Sequence, residues 1–338
     1  MTASIDTATI EPAVAEAQVR IDCYLRDSAP ESIAADVREG LTREPLKELS
    51  PKYLYDARGS ELFDRITTLP EYYPTRCERE ILNRHAPEIM AGAEELVELG
   101  SGTASKTRAL LYALAAAGSL RRYVPFDVSE DVVERCAAEL IELFPGLLVH
   151  GVAGDFERDL ERLPAGERRV FAFLGGTIGN LHAPERARFL GRVRDLMGPQ
   201  DRLLLGTDLV KDTAVIEAAY NDSQGVTAEF NRNVLRVVNA GLDADFDPGA
   251  FSHRAFFDHD CSRIEMRLRA NGRQHVQIPG AGLAVSFADG EELRTEISTK
   301  FTPAAIRGEL AAAGLAVDRF LTDSEGLFGL TLASVAAR

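Results

Sequence analysis

The chain is short of the residues that metal centres and disulfide frameworks require. Its four cysteines, Cys23, Cys77, Cys136 and Cys261, lie far apart, with no Cys-x-x-Cys and no histidine at ligand spacing beside them, which argues against both a metal and a disulfide. Cys136 shares an apolar helical stripe with Val132, Val133 and Leu140, the place of a small core residue. Positive charge is also scarce. Against 53 Asp and Glu stand 38 Lys and Arg, a net charge of −15 with no basic block. Binding a phosphate backbone needs a basic face, so the charge argues against a nucleic-acid partner, and small or zwitterionic partners fit better. No apolar run reaches membrane-spanning length, and Met1 to Glu16 lacks the basic flank and apolar core of a signal segment, so no membrane partner is expected and the protein reads as cytoplasmic. Internal repeats and low-complexity tracts are absent.

What is present is length and apolar content enough for a full core: 338 residues, 45% hydrophobic. The organising stretch is Glu95-Leu-Val-Glu-Leu-Gly-Ser-Gly-Thr-Ala-Ser-Lys-Thr107, an apolar run broken by Gly100 and Gly102 and resumed at helical spacing. It reads as strand, glycine turn, helix, a junction that brings backbone N–H groups close to a bound ligand. Two named versions are missing. The dinucleotide fingerprint needs a third glycine where Ser105 stands, and the phosphate loop needs Gly-Lys-Ser/Thr. Such a turn also joins strand to helix for structural reasons alone.

Residues 1 to about 18 read as a leader, and Val19 to Leu25 can pair as an edge strand. From Glu31 to Ala91 the period is helical, through Ile33, Val37 and Leu41, then Leu62, Phe63 and Ile66, then Ile81, Leu82 and Ile89. Two loops between these helices, Tyr53–Ser60 and Leu69–Arg76, hold half of the eight tyrosines, either as helix packing or as a site wall. Lys106 to Ala116 reads as a helix, Arg122 to Asp127 as a second strand ending on a carboxylate suited to ribose hydroxyls, and Ser129 as the cap of the next helix. A third strand, Leu147 to Val152, leads to Gly154-Asp155-Phe156, an acid and an aromatic that suit an adenine, with an Asx-turn as the alternative for Asp155. The buried strand Arg169 to Leu174 runs into Gly175-Gly-Thr-Ile-Gly-Asn180, followed by a helix over Pro184–Met197 and a fifth strand over Arg202–Leu209. The alternation predicts a right-handed doubly wound α/β sheet.

The rhythm then changes. Thr213 to Leu235 is mostly helical, and Cys261–Ala270, Gln274–Ile278 and Leu293–Phe301 alternate like an antiparallel meander, so about 220 to 300 reads as an insertion or lid. Thr302-Pro303 starts a last helix, and Leu315–Leu321 and Phe328–Val335 are closing strands. Two closing strands after a five-stranded half indicate a class I methyltransferase, a Rossmann-like sheet, rather than a dehydrogenase; S-adenosylmethionine has no pyrophosphate and does without the third glycine.

Several motifs together resemble one family. Tyr55-Asp-Ala-Arg-Gly-Ser-Glu-Leu-Phe63, Leu69-Pro-Glu-Tyr-Tyr-Pro-Thr-Arg76, Glu98-Leu-Gly-Ser-Gly-Thr103, Gly175-Gly-Thr-Ile-Gly-Asn180 and Thr207-Asp-Leu-Val-Lys-Asp212 resemble the histidine-specific S-adenosylmethionine-dependent methyltransferases that form hercynine for ergothioneine biosynthesis. The likeness spans residues 45 to 335. It implies a leader over 1–20, a helical part of a substrate domain over 21–92, a methyltransferase domain from 93–212 and 302–338, and an inserted substrate-binding segment over 213–301. It also implies S-adenosylmethionine as co-substrate, held by Tyr55, Gly100, Lys106, Asp127, Asp155 and Phe156, no metal, and free L-histidine as substrate of a monomer. Lys106 reads otherwise as a solvated helix lysine. Asn180 and Tyr220 would meet the amino and carboxylate end, with Asn180 orienting the amine as the catalytic residue and water taking its proton. Tyr72, Glu296 and Ser298 would bind the imidazole, and Phe63 and Met266 would form apolar walls. Fungal relatives methylate a tryptophan derivative, so tryptophan, or a silent binding protein, is the rival reading; a carboxylate at Glu296 suits a small ring with N–H donors better than an indole.

Overall fold

A computed structural model describes residues 18–25, 29–102, 104, 106–156 and 158–337. The expected leader lies outside the described residues except at its end. There β1 (Val19–Cys23) pairs in parallel with β5 (Leu148–Ala153) at one edge of the main sheet. The sheet continues inward through β4 (Arg122–Asp127), β3 (Glu95–Leu99), β6 (Arg169–Phe173) and β7 (Arg202–Asp208), all parallel. It closes with β14 (Phe328–Val335), antiparallel to β7, and β13 (Leu315–Thr322) at the far edge. Strand order reverses at β3, between β4 and β6.

Burial on both faces follows from the near-continuous apolar strands. Leu96, Tyr123, Val149, Val170 and Leu204 face one way and pack with α3 (Tyr73–Ile89), α4 (Arg108–Ala116) and α5 (Glu130–Leu143). Val97, Val124, Phe126, Phe171, Phe173 and Leu205 face the other way, against α6 (Ala183–Leu196) and α9 (Pro303–Ala312). Two helix starts differ from expectation. Position α4 begins at Arg108 because Lys106 and Thr107 are in a turn, and Ser129 caps α5 without its hydroxyl, its own N–H being held by Asp127 Oδ1 at 3.2 Å.

The second unit is built from α1 (Ala29–Leu41), α2 (Ala57–Thr67), α7 (Thr213–Tyr220) and α8 (Val226–Leu242), the last running seven residues past the expected Leu235. Its strands do not form a single meander. β12 (Glu292–Thr299) pairs antiparallel with β9 (Arg263–Ala270), β9 with β8 (Phe251–Asp258), and the two-residue β2 (Lys47–Glu48) adds in parallel on the other side of β12. β10 (Gln274–Ile278) and β11 (Leu283–Phe287) form a separate hairpin. The expectation fails because β8 and β11 were not foreseen, and without them the remaining strands look consecutive.

A buried ion pair anchors β6 to the end of α6. Asp201 accepts from the Arg169 backbone at 2.7 Å, from Gly198 N–H at 2.8 Å and from the Arg169 guanidinium at 2.7 and 3.0 Å. Replacing Asp201 by Ala strands that guanidinium in the interior and should cost about 3–5 kcal/mol in urea unfolding. A loss below about 1 kcal/mol would show that the pair does not hold the strand.

Candidate active site

A cavity of about 690 Å³ opens where the strand order reverses, beyond the carboxyl ends of β3, β4, β5 and β6, and is roofed by the second unit. Every residue singled out from the sequence for a binding or catalytic role lines it.

At its sheet end the glycine turn has the expected backbone, with Gly100 at φ +74° and Gly102 at φ +49°. Asp127 Oδ2 accepts from Gly102 N–H at 2.9 Å, so the carboxylate fixes the turn as well as facing the cavity; burial raises its pKa, opposed by the backbone donors. Asp155 accepts from Lys52 Nζ at 3.1 Å, and Lys52 also pairs with Asp36 at 2.7 Å. Phe156 stands edge-on to Phe173 and Phe189. Ser101 Oγ is buried at the cavity wall with no partner among the described residues. An unspent hydroxyl beside two carboxylates and an aromatic edge fits a ribose and adenine, so the residues present suit S-adenosylmethionine.

Lys106 is only partly exposed and is not free. Its Nζ lies 2.5 Å from Glu78 Oε2, and Glu78, fully buried on α3, also accepts from Gly175 N–H at 2.7 Å. Glu78 escaped the sequence reading. Its signal was Gly206 inside β7, where a Cβ would come within 2.5 Å of Glu78 Oε1, since a glycine within a strand marks a close approach.

The other end is formed by the second unit. Tyr55, Phe63 and Phe230 stack mutually at 5.4–5.9 Å, and Phe63 meets Tyr72 edge-on at 6.1 Å. Phe230 belongs to this wall and was not foreseen. Met266 is the cross-strand partner of Glu296, next to a bulge between Arg294 and Glu296. Asn180 ends a 3-10 turn after β6 and donates from Nδ2 to Glu296 Oε1 and to the Ile297 carbonyl, both at 3.0 Å. A carbonyl can only accept, so the amide orientation is determined and Asn180 Oδ1 remains the acceptor. His182 caps α6 and lies 3.2 Å from Glu48 Oε1, a helix-start residue as expected.

Behind Tyr220 and Ser298 sits a third unforeseen residue, Lys300. Its Nζ reaches Tyr220 Oη at 3.1 Å, Ser298 Oγ at 2.9 Å and Asp208 Oδ2 at 2.7 Å, with its side chain wholly buried. Asp208 also accepts from Lys211 at 2.5 Å and from Tyr73, and despite its burial these cations hold its pKa below the ordinary range. Among the described residues no group of three or more His, Cys, Asp or Glu could hold a metal ion.

Comparison with known proteins agrees with this geometry. The model of a family described as histidine-specific, S-adenosylmethionine-dependent methyltransferase matches residues 33–335. The chain is 53% identical to the histidine N-alpha-methyltransferase of Mycolicibacterium smegmatis over 91% of its length and 96% of the relative's, and equally to that of Mycobacterium tuberculosis. It is 38% identical to ergothioneine biosynthesis protein 1 of Neurospora crassa over 69% of its length, covering 29% of that protein.

Burial pushes the Glu296 carboxyl up to about 7 from its ordinary 4.5, opposed by the Asn180 hydrogen bond and the Lys300 charge. Between those two values the unfolded chain gives up the proton while the folded state keeps it, so stability falls as pH rises through the window. Replacing Glu296 by Gln should flatten the decline between pH 5 and 7 by on the order of 3 kcal/mol. Urea unfolding at the two pH values checks this, and an unchanged decline would contradict the protonation assigned to Glu296.

Proposed function

The chain belongs to the histidine-specific, S-adenosylmethionine-dependent methyltransferases, and from that premise we propose that it trimethylates the α-amino nitrogen of free L-histidine to hercynine, in ergothioneine biosynthesis. One observation carries the substrate reading. Asn180 Oδ1 and Glu296 are acceptors beside the hydroxyls of Tyr220 and Ser298, Glu296 and Ser298 lying on one face of β12 and the two hydroxyls being backed by a buried cation. An amino acid whose side chain bears both an N–H and a bare nitrogen satisfies both sets. An indole has an N–H but no ring acceptor, and would leave a buried donor unpaired.

S-adenosylmethionine supplies a methyl group on a positively charged sulfur, whose departure as a neutral thioether needs no acid. The chain's own task is alignment and desolvation of the nucleophile. Asn180 Oδ1 accepts an amine N–H and so turns the nitrogen lone pair toward the methyl carbon. As the N–C bond forms, the C–S electron pair returns to sulfur. The α-ammonium of free histidine gives up a proton before the first transfer and the nitrogen gives up one more after each of the first and second, all of which we assign to water because His182, the cavity histidine, is held at the α6 start by Glu48; after the third there is no proton to lose. At the sheet end, Lys106 and the glycine turn would hold the amino acid part of the co-substrate, Asp127 its ribose, and Asp155 with Phe156 its adenine.

This reading takes the enzyme as a cytoplasmic monomer. Among the described residues the exposed large hydrophobics are Tyr112, Leu143, Val210 and Val215, too few for an extensive apolar interface, and no described helix is long and apolar enough to cross a membrane.

Mass spectrometry of histidine incubated with enzyme and S-adenosylmethionine should show three successive methyl additions, and histidine should win a direct competition with tryptophan by at least about a hundredfold. Preferential tryptophan turnover would overturn the substrate assignment. Replacing Asn180 by Ala should lower kcat/KM for histidine by roughly 10- to 100-fold. Unchanged histidine affinity and turnover in that variant would refute the role given to Asn180.

A further inference from the structure

A lysine ammonium has three hydrogens and no acceptor, so it dictates the polarity of whatever surrounds it. Around Lys300 Nζ there are three oxygens: Asp208 Oδ2 at 2.7 Å, Ser298 Oγ at 2.9 Å and Tyr220 Oη at 3.1 Å. One hydrogen serves each. Both hydroxyl oxygens therefore spend a lone pair on the cation, and their own hydrogens must point elsewhere. The Ser298 hydroxyl lies close enough to Tyr220 to interact with it, so at most one of the two hydrogens is used within the cluster and at least one O–H faces the cavity that both residues line. The positive charge behind them disfavours any ligand group that would donate.

Lys300 is itself held rigidly. It follows Thr299 at the end of β12, its backbone N–H donates to the Ser262 carbonyl at 2.8 Å, and its ammonium stands 4.8 Å from the Tyr220 ring centroid. Asp208, its counter-charge, terminates β7 and is shared with Lys211 and Tyr73. Nothing in this arrangement is needed to hold the co-substrate, whose proposed residues, Tyr55 apart, lie at the opposite end of the cavity.

We infer that Lys300 is a positioning residue for substrate recognition: by taking a lone pair from both Tyr220 and Ser298 it turns the O–H left facing the cavity outward as a donor, so that the substrate atom it meets is an acceptor, a carboxylate oxygen or the bare nitrogen of a neutral imidazole. This rests on histidine being the substrate and adds that its ring binds neutral, with the ring N–H toward Glu296 and the unprotonated nitrogen toward the donating hydroxyl. An imidazolium, with two N–H groups, meets a donating hydroxyl backed by a buried cation and is disfavoured.

The test is a mutant cycle with two readouts. Replacing Lys300 by Met should raise KM for histidine about 30-fold while the dissociation constant of S-adenosylhomocysteine changes less than about twofold. The same replacement in a Tyr220→Phe/Ser298→Ala background should add less than about threefold, because the groups it acts through are gone. A merely structural lysine would instead shift both ligands or add its full effect in that background, and either result overturns the inference, as does an unchanged KM. If Lys300→Met does not fold, Lys300→Met with Asp208→Asn removes the stranded carboxylate and is judged by the same criteria. Wild-type enzyme that binds S-adenosylhomocysteine but neither binds nor turns over histidine overturns the substrate reading itself, and the neutral-ring assignment with it, a result that shows before any variant is made.

Discussion

The seam between the two sheets is the constraint on which the site depends. Phe301 N–H donates to the Asp208 carbonyl at 2.8 Å and Val210 N–H to the Phe301 carbonyl at 3.0 Å, so the chain leaving β7 and the chain leaving β12 are joined by backbone hydrogen bonds. One step away, the turn that carries Asn180 presses on β12 so closely that a Cβ at Gly179 would lie 2.8 Å from the Thr299 carbonyl oxygen. Backbone atoms make this contact, and the Lys300–Asp208 ion pair bridges the seam beside it. Because backbone holds it, the residues after β6 and the residues on β12 keep a fixed separation, and Asn180 can bond both Glu296 and the Ile297 carbonyl. The co-substrate end belongs to one sheet and the substrate end largely to the other; alignment for an in-line transfer requires that they do not drift.

Charge is arranged around the same seam. Asp208, at the end of β7, is neutralised by Lys300 and Lys211 and bonded by Tyr73, so its buried charge is compensated from both units. Glu296 is buried with only an amide donor and a nearby cation, and its carboxyl is raised to about 7. Glu78 is balanced by Lys106 at the far end. Asp208 is thus held as an anion by cations, Glu78 is ion-paired, and the carboxyl that faces the proposed ring N–H is left able to take or release a proton near neutrality.

Much of this was legible in the sequence for physical reasons. The glycines of the first turn, the carboxylates Asp127 and Asp155 at strand ends, and the alternation that puts Glu296 and Ser298 on one face all follow from local rules. The tyrosine loops and Asn180 gained meaning only from the resemblance to a family. Glu78 was illegible because a glutamate on an amphipathic helix reads as a solvated residue, and only Gly206, far along the chain, hinted that something approaches β7 there. Lys300 was within reach: period two continues from Glu296 and Ser298 to position 300, but a lysine at a strand end reads as surface. The second sheet was misread because β2 is two residues long and β8 lacks a clear alternation, its residues being mostly half-buried.

The central claim is that accepting groups and donating hydroxyls, fixed in place by the seam, orient one amino acid. A crystal structure with S-adenosylhomocysteine and L-histidine tests it most directly. The account predicts the α-amine nitrogen on Asn180 Oδ1, one ring nitrogen on Glu296 and the other on Ser298, with the amine facing the sulfur. A histidine bound with its ring and amine ends exchanged, or seated away from Asn180 and Glu296, would contradict it.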